Sequence, residues 1–154
     1  MITEAIPSEP SVAAQIHAVV QAAYALEAEL IGCADFPPLR ESLDELLQSS
    51  DSFLVFQQSG TIVAALSLDP TTDPVSITRV VVSPTHLRQG IATALLADLE
   101  RRIPPTARLT VSTAQTNTPA VSLYHRLGYT TARVTSSAEG IPLIHLIKSN
   151  DRNA

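Results

Sequence analysis

The chain has one cysteine, Cys33, among its 154 residues. A single thiol excludes an internal disulfide, and no Cys/His cluster has the spacing of a zinc site. Cys33 therefore reads as a small apolar filler, the usual behaviour of free cysteine. No apolar run approaches the ~20 residues that span a bilayer. The opening Met1-Ile2-Thr3-Glu4-Ala5 lacks the basic and apolar regions of a signal peptide. Those two absences predict a cytoplasmic protein with no membrane partner. The 10 Lys and Arg residues form no stripe and the net charge is −5, which argues against a nucleic-acid partner. Mild acidity favours cationic substrates by steering.

No Gly/Ser linker, internal repeat or low-complexity tract divides the chain. Residues 1–154 read as one domain, long enough to bury a core without disulfides or metal. Hydrophobic residues at 45% and charged residues at 16% are a globular balance.

Residues 2–6 read as a short strand stopped by Pro7. Ser8-Glu9-Pro10-Ser11 is a helix start. Val12, Ile16, Val19, Val20, Ala23, Leu26 and Leu30 then recur at helical spacing over 12–31, and Gly32 ends that helix. Residues 35–38 read as a loop. A second helix is expected over 39–47, with Leu43, Leu46 and Leu47 on one side. Residues 53–57 and 61–68 are strands joined at Ser59-Gly60. The segment 69–74 is a loop, and 75–82 is a β-branched strand. A helix over 90–102, stopped by Pro104-Pro105, leads to a strand over 107–113. A helix over 119–127, closed by Gly128 as a left-handed cap, leads to strands over 129–135 and 141–147. The order is β-α-α-β-β-β-α-β-α-β-β, an α/β fold of mixed, mostly antiparallel sheet with helices on its faces. The strand 75–82 and the strand 107–113 are expected to be parallel, joined by a right-handed crossover.

The chemistry concentrates in 80–96. A strand ends at Ser83-Pro84, a basic turn follows, and Gly90 opens a helix. The N–H groups of that first turn have no helical partner, and the helix dipole favours an anion there. Gly90 lets a phosphate approach the backbone, Ala92 keeps the corridor open, and Arg88 adds charge. Other phosphate-binding designs are excluded. The chain has no Gly-Lys-Ser/Thr of a Walker loop, and no triple glycine of a dinucleotide fold follows the first strand.

This stretch resembles the acetyl-CoA-binding motif of the GNAT N-acetyltransferase superfamily, whose pattern is Gln or Arg, two residues, Gly, one residue, then Gly or Ala. Gly90 and Ala92 match it, whereas Leu87 stands where Gln or Arg is usual. A second segment, running from Asn117 through Ala120 and Tyr124 to Leu127-Gly128-Tyr129, resembles the superfamily's later motif. Together with the element order, the resemblance covers nearly all of 2–147. It implies a single GNAT-like domain. Its sheet would have about seven strands, splayed between strands 4 and 5 and flanked by four helices.

The resemblance also implies an acetyl-CoA-dependent N-acetyltransferase acting on a primary amine of a small molecule or peptide, by direct attack in a ternary complex. Acetyl-CoA is the cosubstrate and no metal is needed. The pantetheine arm would pair with Val80, Val81 and Val82, and a backbone N–H there would hold the oxyanion. The diphosphate would rest on Arg88, Gln89, Gly90, Ile91, Ala92 and Thr93. Asn117 would contact the pantetheine arm or the substrate side of the cleft. Tyr124 would protonate the leaving thiolate.

The general base is left open. Some relatives carry a Glu on the strand equivalent to 75–82, and this strand has no carboxylate. A water chain, Asp35, Asp69, Asp73 or a carboxylate of the first helix remain candidates. His17, His86, His125 and His145 read as surface or packed residues, with one face of the His145 strand directed at the cleft. The segment 31–40, with Cys33, Asp35, Phe36 and Pro37-Pro38, is either a wall of the acceptor pocket or a rigid connection. Leu87 and the missing strand carboxylate leave one alternative, a non-catalytic acyl-CoA-binding sensor or assembly module. Open sheet edges are compatible with a homodimer.

Overall fold

A computed structural model describes residues 1–150. Its strands are β1 (Ile2–Ala5), β2 (Ser52–Gln58), β3 (Thr61–Asp69), β4 (Val75–Val82), β5 (Arg108–Ala114), β6 (Thr130–Ser136) and β7 (Pro142–Ser149). Its helices are α1 (Pro10–Ile31), α2 (Leu43–Leu47), α3 (Ile91–Arg102) and α4 (Thr118–Arg126). Expected and observed bounds agree closely except at α2.

The seven strands form one sheet in the order β1-β2-β3-β4-β5-β7-β6. Among the described residues only β4 and β5 pair in parallel, through the α3 crossover, as the strand-helix-strand spacing predicts. Every other neighbouring pair is antiparallel. β7 inserts between β5 and β6 rather than adding at the edge, which leaves β6 an exposed edge strand.

The expected second helix over 39–47 is corrected in its first half. Pro37–Arg40 make a 3-10 turn, and Glu41 and Ser42 return to extended backbone. α2 then starts from a capping box, in which the Ser42 hydroxyl accepts from Glu45 N–H and the Glu45 carboxylate accepts from Ser42 N–H. With the start moved to 43, Leu46 is fully buried and Leu43 faces out.

Helices cover both faces of the sheet, so β3 is buried along nearly its whole length. On one face α1 and α2 bring Ala13, Ile16, Val20 and Leu46 onto Phe53, Val55, Ala65 and Val81. On the other, Leu95, Leu96 and Leu99 of α3 and Tyr124 of α4 meet Leu54, Leu66, Ile77, Leu109 and Leu146. Gly128 closes α4 at φ +94°, where a Cβ would meet the Lys148 side chain at 3.4 Å. Cys33, expected as buried filler, is only partly buried. Its N–H rather than its thiol is used, donating to Ala28 O at 2.9 Å to finish α1. Among the described residues, no helix is long and apolar enough to cross a membrane.

Candidate functional site

β4 and β5 pair only at Val75–Leu109, Ser76–Thr110 and Ile77–Val111. Beyond Ile77 they diverge, and two cavities open at the divergence. One, of about 440 Å³, runs from α1 past the ends of β4 and α3 to α4. The other, of about 330 Å³, lies on the far side of the gap under Phe36, Pro37 and Pro38. Both are in the range of small-ligand sites. They share Tyr24, Glu27, Val80, Asn117, Ala120 and Tyr124, so these residues sit where the two spaces meet.

The larger cavity is a groove with an anion-binding end. Gly90 caps α3 in a left-handed conformation, φ +73°, and Arg88 is also left-handed, φ +62°. A Cβ on Gly90 would meet no atom, so the glycine answers to backbone angle and to open approach rather than to packing. A side chain at that φ costs roughly 1–2 kcal/mol. The cap carries no side-chain hydrogen bond, so the first-turn N–H groups of α3 stay available. Buried Ile91 anchors the helix start against the core. Val80, Val81, Val82, Arg88, Gly90, Ile91, Ala92 and Thr93 all border this groove. Gln89 is exposed and does not border it.

Leu26 and Leu30, placed on the apolar face of the first helix by their spacing, are 42% and 53% exposed. They line the groove instead of the core, together with Leu87. An apolar wall therefore runs beside the anion-binding end.

Tyr124 is 5% exposed and stacks edge-on with Tyr129 at 5.5 Å. Burial, with smaller contributions from Tyr129, Tyr24 and Glu27, pushes its phenol well above the ordinary tyrosine range. It therefore holds its proton throughout neutral pH. Asn117 caps α4, its Oδ1 accepting from Ala120 N–H at 3.3 Å. Its Nδ2 donates to Glu27 Oε1 at 2.9 Å.

Glu27 was not singled out by the sequence. Burial pushes its carboxyl up, and the Asn117 hydrogen bond pulls it partly back. A signal was present. Ile16, Val20, Ala23, Glu27 and Leu30 step along one helical face, and Glu27 is the charged residue in that progression.

The other base candidates are engaged elsewhere and border neither cavity. Asp35 pairs with Arg40 at 2.7 Å, Asp69 holds Thr71, and Asp73 meets Arg108 at 3.6 Å. Phe36, Pro37 and Pro38 do line the smaller cavity, so this part of the 31–40 segment forms a wall.

His17 bonds Glu41 O, His86 bonds Thr85, and His125 meets Thr131. His145 is clasped by Ser112 Oγ and Thr135 Oγ1, each at 2.7 Å. Burial, then the charge of Arg133, lowers the His145 pKa. It reaches the smaller cavity only through Ser112. Among the described residues no group of acidic, His and Cys side chains is arranged to hold a metal.

A sheet splayed at one parallel pair, with an anion cradle at the following helix, defines an acyltransferase-type domain. The acetyltransferase (GNAT) domain model matches residues 25–149, and the chain belongs to that family. The protein YqkA of Bacillus subtilis (strain 168), described as a UPF0157 protein, is 33% identical over 135 residues. That match covers 88% of this chain and 39% of the relative, so the chain spans well under half of YqkA. The ribosomal-protein-S18-alanine N-acetyltransferase of Escherichia coli superposes with a TM-score of 0.73 at 21% identity, covering 100% of this chain and 97% of that one. The PaiA N-acetyltransferase of Thermoplasma acidophilum, solved with coenzyme A, superposes with a TM-score of 0.74 at 15% identity, covering 94% of this chain and 98% of that one. At such identities these two structures speak to the fold.

Proposed function

We propose that residues 1–154 form a single N-acetyltransferase domain. It moves the acetyl group of acetyl-CoA to a primary amine of a small molecule or peptide, by direct attack in a ternary complex. The observation that carries this reading is the meeting of the two cavities at Tyr124, where β4 leaves β5. A thioester entering by the groove and an amine entering by the smaller cavity converge there. The coenzyme A in the PaiA structure supports the choice of donor.

In this reading the diphosphate sits on the N–H groups that follow Gly90, assisted by the α3 dipole and Arg88. The pantetheine arm runs beside Val80, Val81 and Val82, whose backbone has no β5 partner. One of those N–H groups polarises the thioester carbonyl. Tyr124 gives its proton to the departing thiolate. Asn117 acts on the substrate side of the cleft through Glu27 rather than on the arm. A cytoplasmic setting, where acetyl-CoA is made and used, fits this chemistry.

The test is release of CoA thiol from acetyl-CoA across peptides, polyamines, amino acids, amino-sugars and simple alkylamines. Amine-dependent release is expected with at least one class. Tight acetyl-CoA binding with no release from any of them would favour the sensor or assembly module instead.

Leu87 yields a smaller prediction. It is 45% exposed beside the anion cradle. Leu87→Arg is expected to lower the KM for acetyl-CoA about two- to fivefold, the return of an exposed ion pair worth below ~1 kcal/mol. Steady-state kinetics at low and high salt check it, since the gain should shrink as salt screens the pair.

A further inference from the structure

β4 carries no carboxylate, yet the smaller cavity is not without one. Glu27 and Glu139 both line it. Glu139 is paired with Arg40 at 3.7 Å and does not border the groove. Glu27 is the carboxylate that borders both cavities, and Asn117 fixes its Oε1. Its neighbours are two phenols, Tyr24 of α1 and Tyr124 of α4. The only guanidinium lining that cavity among the described residues, Arg79 of β4, is already bound to Glu41 and Asp51. His86, Arg88 and Arg126 face the groove rather than the smaller cavity. The rest of the smaller cavity is largely apolar, with Phe36, Pro37, Ile77, Val111, Ile141 and Leu143.

We propose that Glu27 is the acceptor-side base. It receives the substrate's ammonium and removes its proton, and it thereby selects small primary amines with an apolar flank and no carboxylate beside the nitrogen. This rests on the acetyltransferase reading above. A carboxylate next to the amine would face Glu27 with no free cation to meet it, and like charges in a half-buried site repel. An apolar flank is matched by the cavity wall.

The proton account closes. The ammonium gives a proton to Glu27, and the free amine attacks the thioester carbon. The C–S bond breaks from the tetrahedral intermediate, and the thiolate takes the Tyr124 proton. The Tyr124 phenolate then takes the surplus proton of the N-protonated amide, whose nitrogen keeps one hydrogen. Glu27 finally returns its proton to solvent, so one proton leaves per turnover. Burial supports the assignment, because it raises the Glu27 carboxyl toward the range where a base works best.

The raised carboxyl also supplies a fold control. A group whose folded pKa lies above its unfolded value lends stability below the ordinary glutamate range, and that is lost as pH rises through the folded value. Ionised Glu27 therefore costs stability at neutral pH. Glu27→Gln keeps the acceptor oxygen for Asn117 and is expected to melt at or above the wild-type temperature at pH 7.

The experiment follows CoA release with phenethylamine and with phenylalanine, which differ by one carboxylate, in wild type and Glu27→Gln from pH 6 to 9.5. Wild type is expected to favour phenethylamine at least tenfold in kcat/KM. Glu27→Gln is expected to lose about a hundredfold in kcat at pH 7, to recover as free amine accumulates at high pH, and to keep its KM for acetyl-CoA. Glu27→Asp is expected to restore part of the loss. Wild-type turnover with an unchanged kcat and pH profile in Glu27→Gln overturns the Glu27 role and leaves the acetyltransferase reading standing. Preference for phenylalanine overturns the acceptor class. No CoA release by wild type with any amine overturns the acetyltransferase reading, and Glu27's role with it.

Discussion

Tyr124→Phe is expected to lower kcat by about 10²–10⁴-fold, the usual contribution of a positioned proton donor. The ring stays where it is, because it is buried and packed edge-on against Tyr129. No hydrogen bond within the described residues engages the hydroxyl, so its loss leaves no orphaned partner. Stability and acetyl-CoA affinity should therefore hold while turnover collapses. The loss should be nearly flat across neutral pH, since burial keeps the phenol protonated there. It should shrink with an acetyl thioester whose thiol is more acidic, because that leaving group needs less help. The measurement is kcat for both donors in wild type and variant, with a thermal melt beside it. Wild-type turnover by the variant with acetyl-CoA across the pH range would remove Tyr124 from the mechanism.

Arg79→Leu is expected to act on the fold instead. Arg79 Nε donates to Glu41 at 3.0 Å, and its Nη2 binds the other oxygen of the same carboxylate. Nη1 donates to Asp51 at 3.0 Å and to Ser67 at 2.9 Å. The guanidinium also lies 5.4 Å from the centre of the Phe53 ring. The side chain is 13% exposed, and its two carboxylate partners are 20% and 18% exposed. Removing the cation leaves both carboxylates in a half-buried site without their counter-ion. Breaking such a network costs about 3–5 kcal/mol. For a chain of this size that lowers Tm by about 6–20 °C. Combining Arg79→Leu with Glu41→Leu should recover part of the loss, because an apolar pair replaces a broken ion pair. Thermal melts of the single and double variants decide it. A single variant that melts with the wild type would mean the network contributes nothing net.

These two residues differ in how visible they were beforehand. Tyr124 could be named because its helix, its cap and the glycine that ends it lie within a dozen residues of one another. The anion cradle was visible for the same reason, since strand end, turn and Gly90 are consecutive. The β2–β3 hairpin and the parallel β4–β5 pair follow from short connections and crossover geometry. The Arg79 network was not visible, because it joins residues 41, 51, 67 and 79 across four separate segments. The insertion of β7 beside β5 is likewise a long-range pairing. Glu27 was hidden because a charge on a helical face reads as a solvated interruption until the partner at residue 117 is seen. The start of α2 is a different kind of miss. Ser42 and Glu45 do spell a capping box, but Pro37-Pro38 and the leucines from 39 onward drew the helix boundary earlier.

The three residue pairs that join β4 to β5 bear on cooperativity as well as on chemistry. The sheet is two ladders, β1 to β4 and β5 to β7, riveted at one short seam. Side chains beneath span the seam, where α3 leucines share one apolar cluster with Ile77 and Leu66 of one ladder and Leu109 and Leu146 of the other. A molecule lying in the gap and bonded to the free edge of β4 would act as a further length of ladder. Occupancy and mechanical unity would then be one quantity. At a donor concentration a hundredfold above its dissociation constant, the folded state would gain about 2.7 kcal/mol. Much of that gain would be felt at the seam, where three residue pairs join the two ladders.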